Sequence, residues 1–331
     1  MRPERTQRDA PAGAARTPVG GGTGRCSAPY RGTTILCGID DASESRTAVV
    51  AAVRLAEALN ARLVLAHVMP SPDAPPSGMA SQRGLLRARA IEAGRRLLGE
   101  AAGELLDDTR TEALEGAQTR VDFGDPARRL ATVADEIEAG MIVVGTRGRG
   151  LPKVALAGSV SQTLAAEESR PILIVPADTE IANRARRPSE RGGSPIVCGV
   201  DGSDGATGAA RVAAGLASSL GRGLILAHSE VAEAPTAGEA VEFGDVLDPE
   251  ARPRVLMLKR ASEVTGDAET ELRLLSGDPA VALEELGARE SAELIAVGTR
   301  GHSVIRALAL GSISRALAES SSRPVLVVND P

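Results

Sequence analysis

The sequence contains one long internal repeat, and this repeat limits the folds that the chain can adopt. Cys-Gly-Ile-Asp at residues 37–40 returns as Cys-Gly-Val-Asp at residues 198–201, and Leu-Ala-His at residues 65–67 returns at residues 226–228. Both offsets are 161 residues. Solenoid repeats are only about 20 to 45 residues long, so this period is too long for a solenoid. We therefore predict a tandem duplication of a whole domain of about 145 residues.

The second copy is shorter than the first. Gly-Asp-Pro at residues 124–126 returns at residues 277–279, and Arg-Pro at residues 170–171 returns at residues 323–324, so the offset has fallen to 153 residues. We divide the chain into a disordered arm rich in Gly, Ala, Pro and Arg, a first domain, a charged linker and a second domain. Their predicted bounds are residues 1–31, 32–176, 177–194 and 195–331. The two domains are called the first half and the second half below.

A glycine motif occurs once in each half, directly behind an apolar run. Gly-Thr-Arg-Gly at residues 145–148 is followed, after nine residues, by Gly-Ser at residues 158–159, and the same spacing recurs at residues 298–301 and 311–312. The pattern predicts a strand, a glycine-rich loop and a helix start. Glycine lets a ligand approach the backbone closely, and the N–H groups at a helix start suit a phosphate. The alternative is a pair of purely structural loops.

Apolar runs alternate with helical patterns along each half. The runs, such as residues 33–39 and 141–144, are apolar along their length and do not alternate with polar residues. This pattern is typical of parallel strands covered on both faces. We predict an α/β fold with two tandem Rossmann-like domains, each a five-stranded parallel sheet with helices on both faces. The prediction includes a long helix over residues 82–106 and a helix start at Asp125 and Pro126. Such sheets bind ligands beyond the carboxyl ends of their strands.

Several of these features occur together in one known family. The aspartate after the first strand, the Gly-Asp-Pro turn, the glycine motif after the fourth strand and the Arg-Pro before the fifth strand together resemble the universal stress protein family. The likeness covers roughly residues 33–176 and 195–329. It implies a nucleotide-binding fold related to the adenine nucleotide α-hydrolases. Because both halves keep the glycine motif, it implies up to two ATP sites.

The resemblance also implies a role for individual residues. Asp40 and Asp201 would lie at the mouth of the first strand of each half, and Val68 would lie beside the adenine and ribose, where the second half has Ser229. The end of the fourth strand would line the pocket, while the other glycines and the following helix start would surround the phosphates. These residues are Val144, Gly145, Val297 and Gly298 at the strand, and Gly148, Gly158, Ser159, Val160, Gly301, Gly311, Ser312 and Ile313 around the phosphates.

The polar residues at the strand ends have more than one interpretation. Asp40 and Asp201 could accept hydrogen bonds from a ribose or hold Mg²⁺ on the phosphates, because a bare carboxylate would repel a triphosphate. The alternative is a helix cap. His67 and His228 are expected to make structural hydrogen bonds, since no Ser or Cys nucleophile pattern accompanies them. We assign no catalytic residue and no metal site built from protein side chains alone.

Composition excludes several classes of partner. The net charge is -6, and the only aromatic residues are one Tyr and two Phe, which argues against nucleic-acid binding. No apolar run is long enough to span a membrane, and no apolar stretch follows the N-terminal arginines as in a signal peptide. Three cysteines without CxxC spacing argue against disulfides and zinc, and fit a cytoplasmic location.

The sequence therefore favours a cytoplasmic, ATP-binding universal stress protein that acts as a stress-response regulator, with Mg²⁺ on the nucleotide and slow or no hydrolysis. The resemblance suggests that the fifth strands pair, so that the two halves dock within one chain; a homodimer stays open. One alternative is a metal-dependent nucleotide hydrolase that uses Asp40 or Asp201. Another is a dimerisation or interaction module that needs no nucleotide, and the motif leaves a cyclic nucleotide open as the ligand.

Overall fold

The structure is a computed structural model, and it describes nine segments of the chain. They are residues 29–40, 45–69, 88–89, 91–100, 112–146, 159–177, 193–230, 252–299 and 310–329. Of the predicted site residues, Gly148, Gly158 and Gly301 lie outside these segments, as do residues 1–28 of the expected arm.

The described part of the first half alternates strands and helices. Its strands are β1 (Thr34–Ile39), β2 (Arg62–Met69), β3 (Gln118–Phe123), β4 (Ala139–Gly145) and β5 (Ile172–Val175). Its helices are α1 (Ser45–Leu59), α2 (91–100), α3 (Glu112–Glu115), α4 (Pro126–Glu136) and α5 (Ser159–Glu167). The predicted helix over residues 82–106 is thus helical at 88–89 and 91–100, and its two ends lie outside the described residues.

The second half repeats the order of strands. They are β6 (Ile196–Gly199), β7 (Leu224–Glu230), β8 (Thr270–Ser276), β9 (Leu294–Gly298) and β10 (Val325–Val328). Its helices are α6 (Asp204–Leu220), α7 (Arg252–Ser262), α8 (Pro279–Arg289) and α9 (Ser312–Ser320). In both halves the Gly-Asp-Pro turn begins a helix as predicted. The Asp125 carboxylate accepts a hydrogen bond from Arg128 N at 3.0 Å, and Asp278 accepts from Ala280 N at 3.0 Å.

All ten strands belong to one sheet. Their order is β3-β2-β1-β4-β5-β10-β9-β6-β7-β8. The five strands of each half run parallel to one another, whereas β5 and β10 pair in antiparallel fashion. The carboxyl ends of the two sets of strands therefore point to opposite edges of the sheet. Because ligands bind at carboxyl ends, the two candidate sites open at opposite edges.

The pairing of β5 with β10 is symmetric in the repeat. Leu173 faces Leu326, while Ile172 faces Val327 and Ile174 faces Val325. Leu173 and Leu326 are equivalent residues of the two halves, separated by the offset of 153 that the motifs also show. A residue that faces its own equivalent marks a two-fold relation between the repeats.

Hydrophobic cores cover both faces of the sheet. One core joins Cys37 and Cys198 of the strands to α1 and α6, and the other joins Leu36 and Val197 to α4, α5, α8 and α9. Alternate residues of each strand thus face opposite cores, and both cores contain residues from both halves. This arrangement confirms the predicted α/β class with helices on both faces.

The repeated Cys-Gly pair follows from this packing. Cys37 and Cys198 are completely buried, and burial raises the pKa of each thiol to about 12. The next residue faces the other core, where a Cβ atom at Gly38 would lie 2.8 Å from Leu130 Cδ1 and one at Gly199 would lie 2.8 Å from Leu283 Cδ1. The cysteines thus fill one core, while the glycines leave room for Leu130 and Leu283 in the other.

The Arg-Pro pairs before β5 and β10 also serve the fold. Arg170 donates to Ala139 O at 2.9 Å and contacts Glu168 and Asp135. Arg323 instead contacts Glu284 of α8 at 2.8 Å. Burial would raise the pKa of Glu284, but hydrogen bonds from Ser322 and Ser321 and the Arg323 guanidinium hold it below its usual value. The equivalent arginines of the two halves thus have different acidic partners.

Residues just before β1 contact the second half. Tyr30 N donates to Ser219 Oγ at 3.3 Å, and Arg31 Nε donates to Ser219 O at 3.2 Å. A Cβ atom at Gly215 of α6 would lie 2.9 Å from Pro29 Cγ and 3.4 Å from Tyr30 Cε2. Gly215 therefore leaves the space in which Pro29 and Tyr30 pack, and burial there raises the pKa of Tyr30 to about 12.

This packing predicts the effect of Gly215→Val. The added methyl groups should displace Tyr30 from α6 and return its pKa towards the ordinary value of about 10. Tyr30 is the only tyrosine and the chain has no tryptophan, so tyrosinate absorbance during a titration from about pH 9 to 11 reports on this contact alone. In the parent protein little tyrosinate should form at pH 10, whereas about half should form in the variant.

Gly99→Val is the matched control, because Gly99 is also helical and a Cβ atom there would meet no atom within 4 Å. It should leave the titration of Tyr30 unchanged. The folded phenol keeps its proton where the unfolded phenol loses it, so the stability of the parent should fall as pH rises from about 10 to 12. Equal titration of Tyr30 in the parent and in Gly215→Val would contradict the contact.

Candidate functional site

The described candidate residues lie at the carboxyl ends of the central strands. Asp40 follows β1, Val144 and Gly145 end β4, and β1 and β4 are neighbours in the sheet. Val68 lies near the end of β2, on the other side of β1, and is partly buried. Ser159 begins α5 and Val160 follows it, half-buried. The first-half candidates therefore belong to adjacent elements at one edge of the sheet.

In the second half the equivalent residues line one cleft of about 230 Å³. It contains every second-half candidate that the structure describes: Asp201, Val297, Gly298, Gly311, Ser312, Ile313, and Ser229 at the position of Val68. Apolar and polar groups meet there, since Val297 is buried while Ser312 is exposed. The spacing in the sequence has thus brought these side chains to one place.

The start of α9 forms one wall of this cleft. Gly311 occupies the N-cap position and makes no side-chain cap hydrogen bond, while Ser312 is the first helical residue. Gly311 N donates to Thr299 O at 2.6 Å, and Gly311 O accepts the hydrogen bond of Arg315 N at 2.9 Å. Ser312 is therefore not the cap. The first N–H groups of the helix thus receive no hydrogen bond from a cap side chain, an arrangement that suits an anion.

The glycines of the motif also permit close backbone packing. A Cβ atom at Gly298 would lie 2.6 Å from the carbonyl carbon of Gly205, and one at Gly311 would lie 2.8 Å from Thr299 O. Both distances are too short for any side chain. These approaches support the structural interpretation of the two glycines, and the ligand-binding interpretation stays a prediction.

The aspartates after β1 and β6 connect each strand to the helix that follows. Asp201 Oδ1 accepts from Ser203 N at 3.0 Å and from the Ser203 hydroxyl. Ser203 is the N-cap of α6 and accepts from Ala206 N at 3.2 Å. In the first half, Ser45 donates its hydroxyl to Asp40 Oδ1 and accepts from Asp40 N at 3.1 Å. In the second half the cap is therefore Ser203, and Asp201 orients it.

The two histidines make the structural hydrogen bonds that the sequence predicts. His67 Nδ1 lies 2.8 Å from Ile39 O, and His228 Nδ1 lies 2.8 Å from Val200 O. A carbonyl oxygen only accepts, so Nδ1 carries the proton in both rings. Each bond fixes the strand just before Asp40 or Asp201. The ring of His228 also lines the cleft.

Comparisons with known proteins follow the same division of the chain. The universal stress protein family matches residues 32–176 and again residues 194–329. A universal stress protein of Mycobacterium tuberculosis is 28% identical over 92% of this chain and 98% of its own length. One from Mycolicibacterium smegmatis is 30% identical over 89% of this chain and 96% of its own.

The chain belongs to the universal stress protein family.

The fold agrees with this assignment. The crystal structure of a universal stress protein from Archaeoglobus fulgidus covers 91% of this chain and 99% of its own with a TM-score of 0.57, at 18% identity. At that identity the likeness concerns the fold alone. The two family matches in succession confirm the family and the tandem arrangement that the sequence predicted.

The two candidate sites of this universal stress protein differ at the end of the second strand. Val68 of the first half is apolar, whereas the Ser229 hydroxyl donates to Gly277 O at 3.0 Å. The hydroxyl therefore holds the turn before α8. Pro279 and Leu283 of α8, which the glycine motif does not indicate, line the cleft as well. The Gly-Asp-Pro turn could have indicated them, since it places the start of α8 at the same edge of the sheet.

The described residues show neither a metal cluster nor a membrane-spanning helix. Within the described segments, no group of three or more His, Cys, Asp or Glu side chains is placed to hold a metal ion. In the same segments, no helix combines the length and apolarity needed to cross a membrane. Asp201 and His228 are the ionisable side chains among those that line the cleft.

Proposed function

We propose that this universal stress protein binds ATP, with Mg²⁺, at the carboxyl edge of each half-sheet, and that it acts as a stress-response regulator with slow or no hydrolysis. The observation that carries the proposal is the second-half cleft, in which the start of α9 has a glycine cap beside the end of β9. The first half supports the same proposal because Gly145, Ser159 and Val160 hold equivalent positions in the repeat. A cytoplasmic location stays a prediction from cysteine usage.

The wall at α9 suits the phosphates. The N-terminus of a helix carries a partial positive charge and unpaired N–H groups, which favour an anion. Gly311 adds no side chain that would cover those groups, and the exposed Ser312 hydroxyl could donate a further hydrogen bond. A side chain with a carboxylate cap would instead repel the ligand.

Another part of the cleft suits the nucleoside. Val297 of β9 and Leu283 of α8 offer apolar surface against which a base could be buried. Asp201 contributes the carboxylate, and its bonds to Ser203 hold it in one position. A carboxylate held in this way could accept a hydrogen bond from a ribose hydroxyl.

The single carboxylate also fits a magnesium ion that arrives with the nucleotide. Mg²⁺ usually keeps several waters and binds through one or two carboxylates together with substrate phosphates. Asp201 in the second half and Asp40 in the first would supply that carboxylate. The ion would neutralise phosphate charge next to the aspartate, and the affinity of each site for ATP should depend on it.

The hydrogen bonds of the cleft favour a binding site over fast catalysis. Asp201 Oδ1 holds Ser203, and His228 Nδ1 donates to the backbone. Fast phosphoryl transfer needs a group that positions the attacking water, along with charge stabilisation on the transferred phosphoryl. Because these two side chains are already engaged in structural bonds, we propose regulation through the bound nucleotide.

Ser312→Asp and Ser159→Asp test the phosphate assignment. A carboxylate in the first helical turn favours the helix dipole, so the fold should be retained. The same charge should repel a phosphate, and we expect the affinity for ATP at the altered site to fall by about tenfold or more. Calorimetric titration with ATP and Mg²⁺ should show one strong site in each single variant and none in the double variant.

Ser312→Ala and Ser159→Ala are the matched controls. They remove the hydroxyl and keep the N–H groups, so each should change affinity far less than the aspartate variant does. Thermal unfolding without nucleotide checks that all variants are folded. Titrations of the aspartate and parent proteins that coincide would exclude phosphate binding at these helix starts.

We propose further that the two halves remain paired through β5 and β10 in solution. A fragment of residues 29–177 would expose β5 as an unpaired apolar edge, and natural proteins cover or pair such edges. In sedimentation experiments this fragment should self-associate through a second copy of β5. The full chain, whose β5 is already paired with β10, should form assemblies with fewer copies. A fragment that stays monomeric at all concentrations would contradict the pairing.

A further inference from the structure

A short chain of hydrogen bonds connects the glycine loop of the second half to a helix of the first half. Thr299 follows Gly298, and its hydroxyl donates to Asn329 Oδ1 at 2.8 Å. Asn329 Nδ2 lies 3.3 Å from Ala166 O and 3.4 Å from Glu168 O. We call these contacts of Thr299, Asn329, Ala166 and Glu168 the inter-half bridge.

The orientation of the Asn329 amide follows from its partners. Carbonyl oxygens only accept, so the nitrogen must face Ala166 and Glu168, and the oxygen then faces the Thr299 hydroxyl. Ala166 and Glu168 lie at the carboxyl end of α5, where the last carbonyls of a helix have no partner within it. Asn329 therefore stabilises the end of α5 from the other half of the chain.

The other end of the bridge lies against the proposed phosphate site. Thr299 O accepts from Gly311 N at 2.6 Å, and Thr299 N donates to Val328 O at 2.9 Å. Gly311 is the N-cap of α9 and lines the second-half cleft. A ligand that orders the start of α9 therefore also orders Thr299 through its backbone.

Helix α5 carries the connection to the first-half site. It has nine residues, which corresponds to a length of about 13 Å. Its carboxyl end receives the bridge, while its start at Ser159 is part of the first-half candidate site. A packed helix transmits a change in order from one end to the other, since Leu164 and Ala165 are held in the core.

We propose that Asn329 is a positioning residue that couples the two nucleotide sites. Nucleotide in the second-half cleft fixes Thr299, Asn329 then holds the carboxyl end of α5, and the start of α5 becomes better ordered to receive phosphate in the first half. The coupling is positive. The first ligand has already ordered α5, so less conformational entropy is lost when the second ligand binds. This inference rests on the proposed ATP binding and adds communication between the sites.

Hydrogen exchange of α5 tests the bridge in the full chain. In Ser159→Asp protein the affinity of the first site for ATP is lowered, so ATP with Mg²⁺ is added at a concentration that fills only the second-half site. Exchange of the amides of α5 should nevertheless slow by about fivefold when ATP is added. The comparison is made within one variant, with and without ATP, so any direct effect of the substitution cancels.

Asn329→Asp in the same background separates the bridge from binding. The carboxylate can still accept from Thr299, but it has no N–H for Ala166 and Glu168, and its charge is unfavourable at the carboxyl end of a helix. Calorimetry should still show ATP bound at the second site, while the protection of α5 should disappear. Ser219→Ala is the control, because it removes the hydrogen bond by which Tyr30 N, just before β1, contacts the second half, and it should leave the protection intact.

The outcomes distinguish the two proposals. Protection of α5 that depends on Asn329 and survives Ser219→Ala supports the coupling. Protection that is equal with and without Asn329, or ATP binding with no protection of α5, overturns the coupling and leaves ATP binding in place. Absence of any calorimetric binding of ATP in the Ser159→Asp protein overturns ATP binding at the second site, and the coupling with it.

Discussion

The antiparallel pairing of β5 with β10 is the contact on which the rest of the molecule depends. It joins two parallel half-sheets into one ten-stranded sheet and places Leu173 opposite its own equivalent, Leu326. Each short, fully buried strand would otherwise be an exposed edge. The same pairing turns the carboxyl ends of the halves to opposite edges. It also brings Asn329, the residue after β10, to the carboxyl end of α5.

The chemistry of the second-half cleft follows from how closely backbones approach there. Gly298 allows the end of β9 to touch the start of α6, and Gly311 allows the start of α9 to contact Thr299. These approaches leave the start of α9 beside a cleft whose ionisable side chains are already held in place. Asp201 orients the cap of α6, and His228 fixes the strand before it. The structural bonds of these ionisable side chains agree with the proposed role of the cleft, which is to hold a nucleotide and not to hydrolyse it rapidly.

Much of the fold was predictable because the repeat reveals it. Matching motifs in both halves indicated the duplication, and continuous apolar runs indicated parallel strands. The cap at Asp125 and the bonds of the histidines also followed from local patterns. The bridge was not predictable, since Asn329 stands where the first half has Pro176 and no repeat points to it. Likewise, the packing of Tyr30 against Gly215 depends on a contact between residues remote in sequence.

The most direct test of ATP binding is to recover the nucleotide from the protein. The full chain would be loaded with excess ATP and Mg²⁺, separated from free nucleotide by gel filtration, denatured with acid and analysed by chromatography. The account predicts intact ATP, at more than one and up to two molecules per chain, with little ADP. Recovery of no nucleotide above that of an unrelated protein, or of ADP alone, would contradict it.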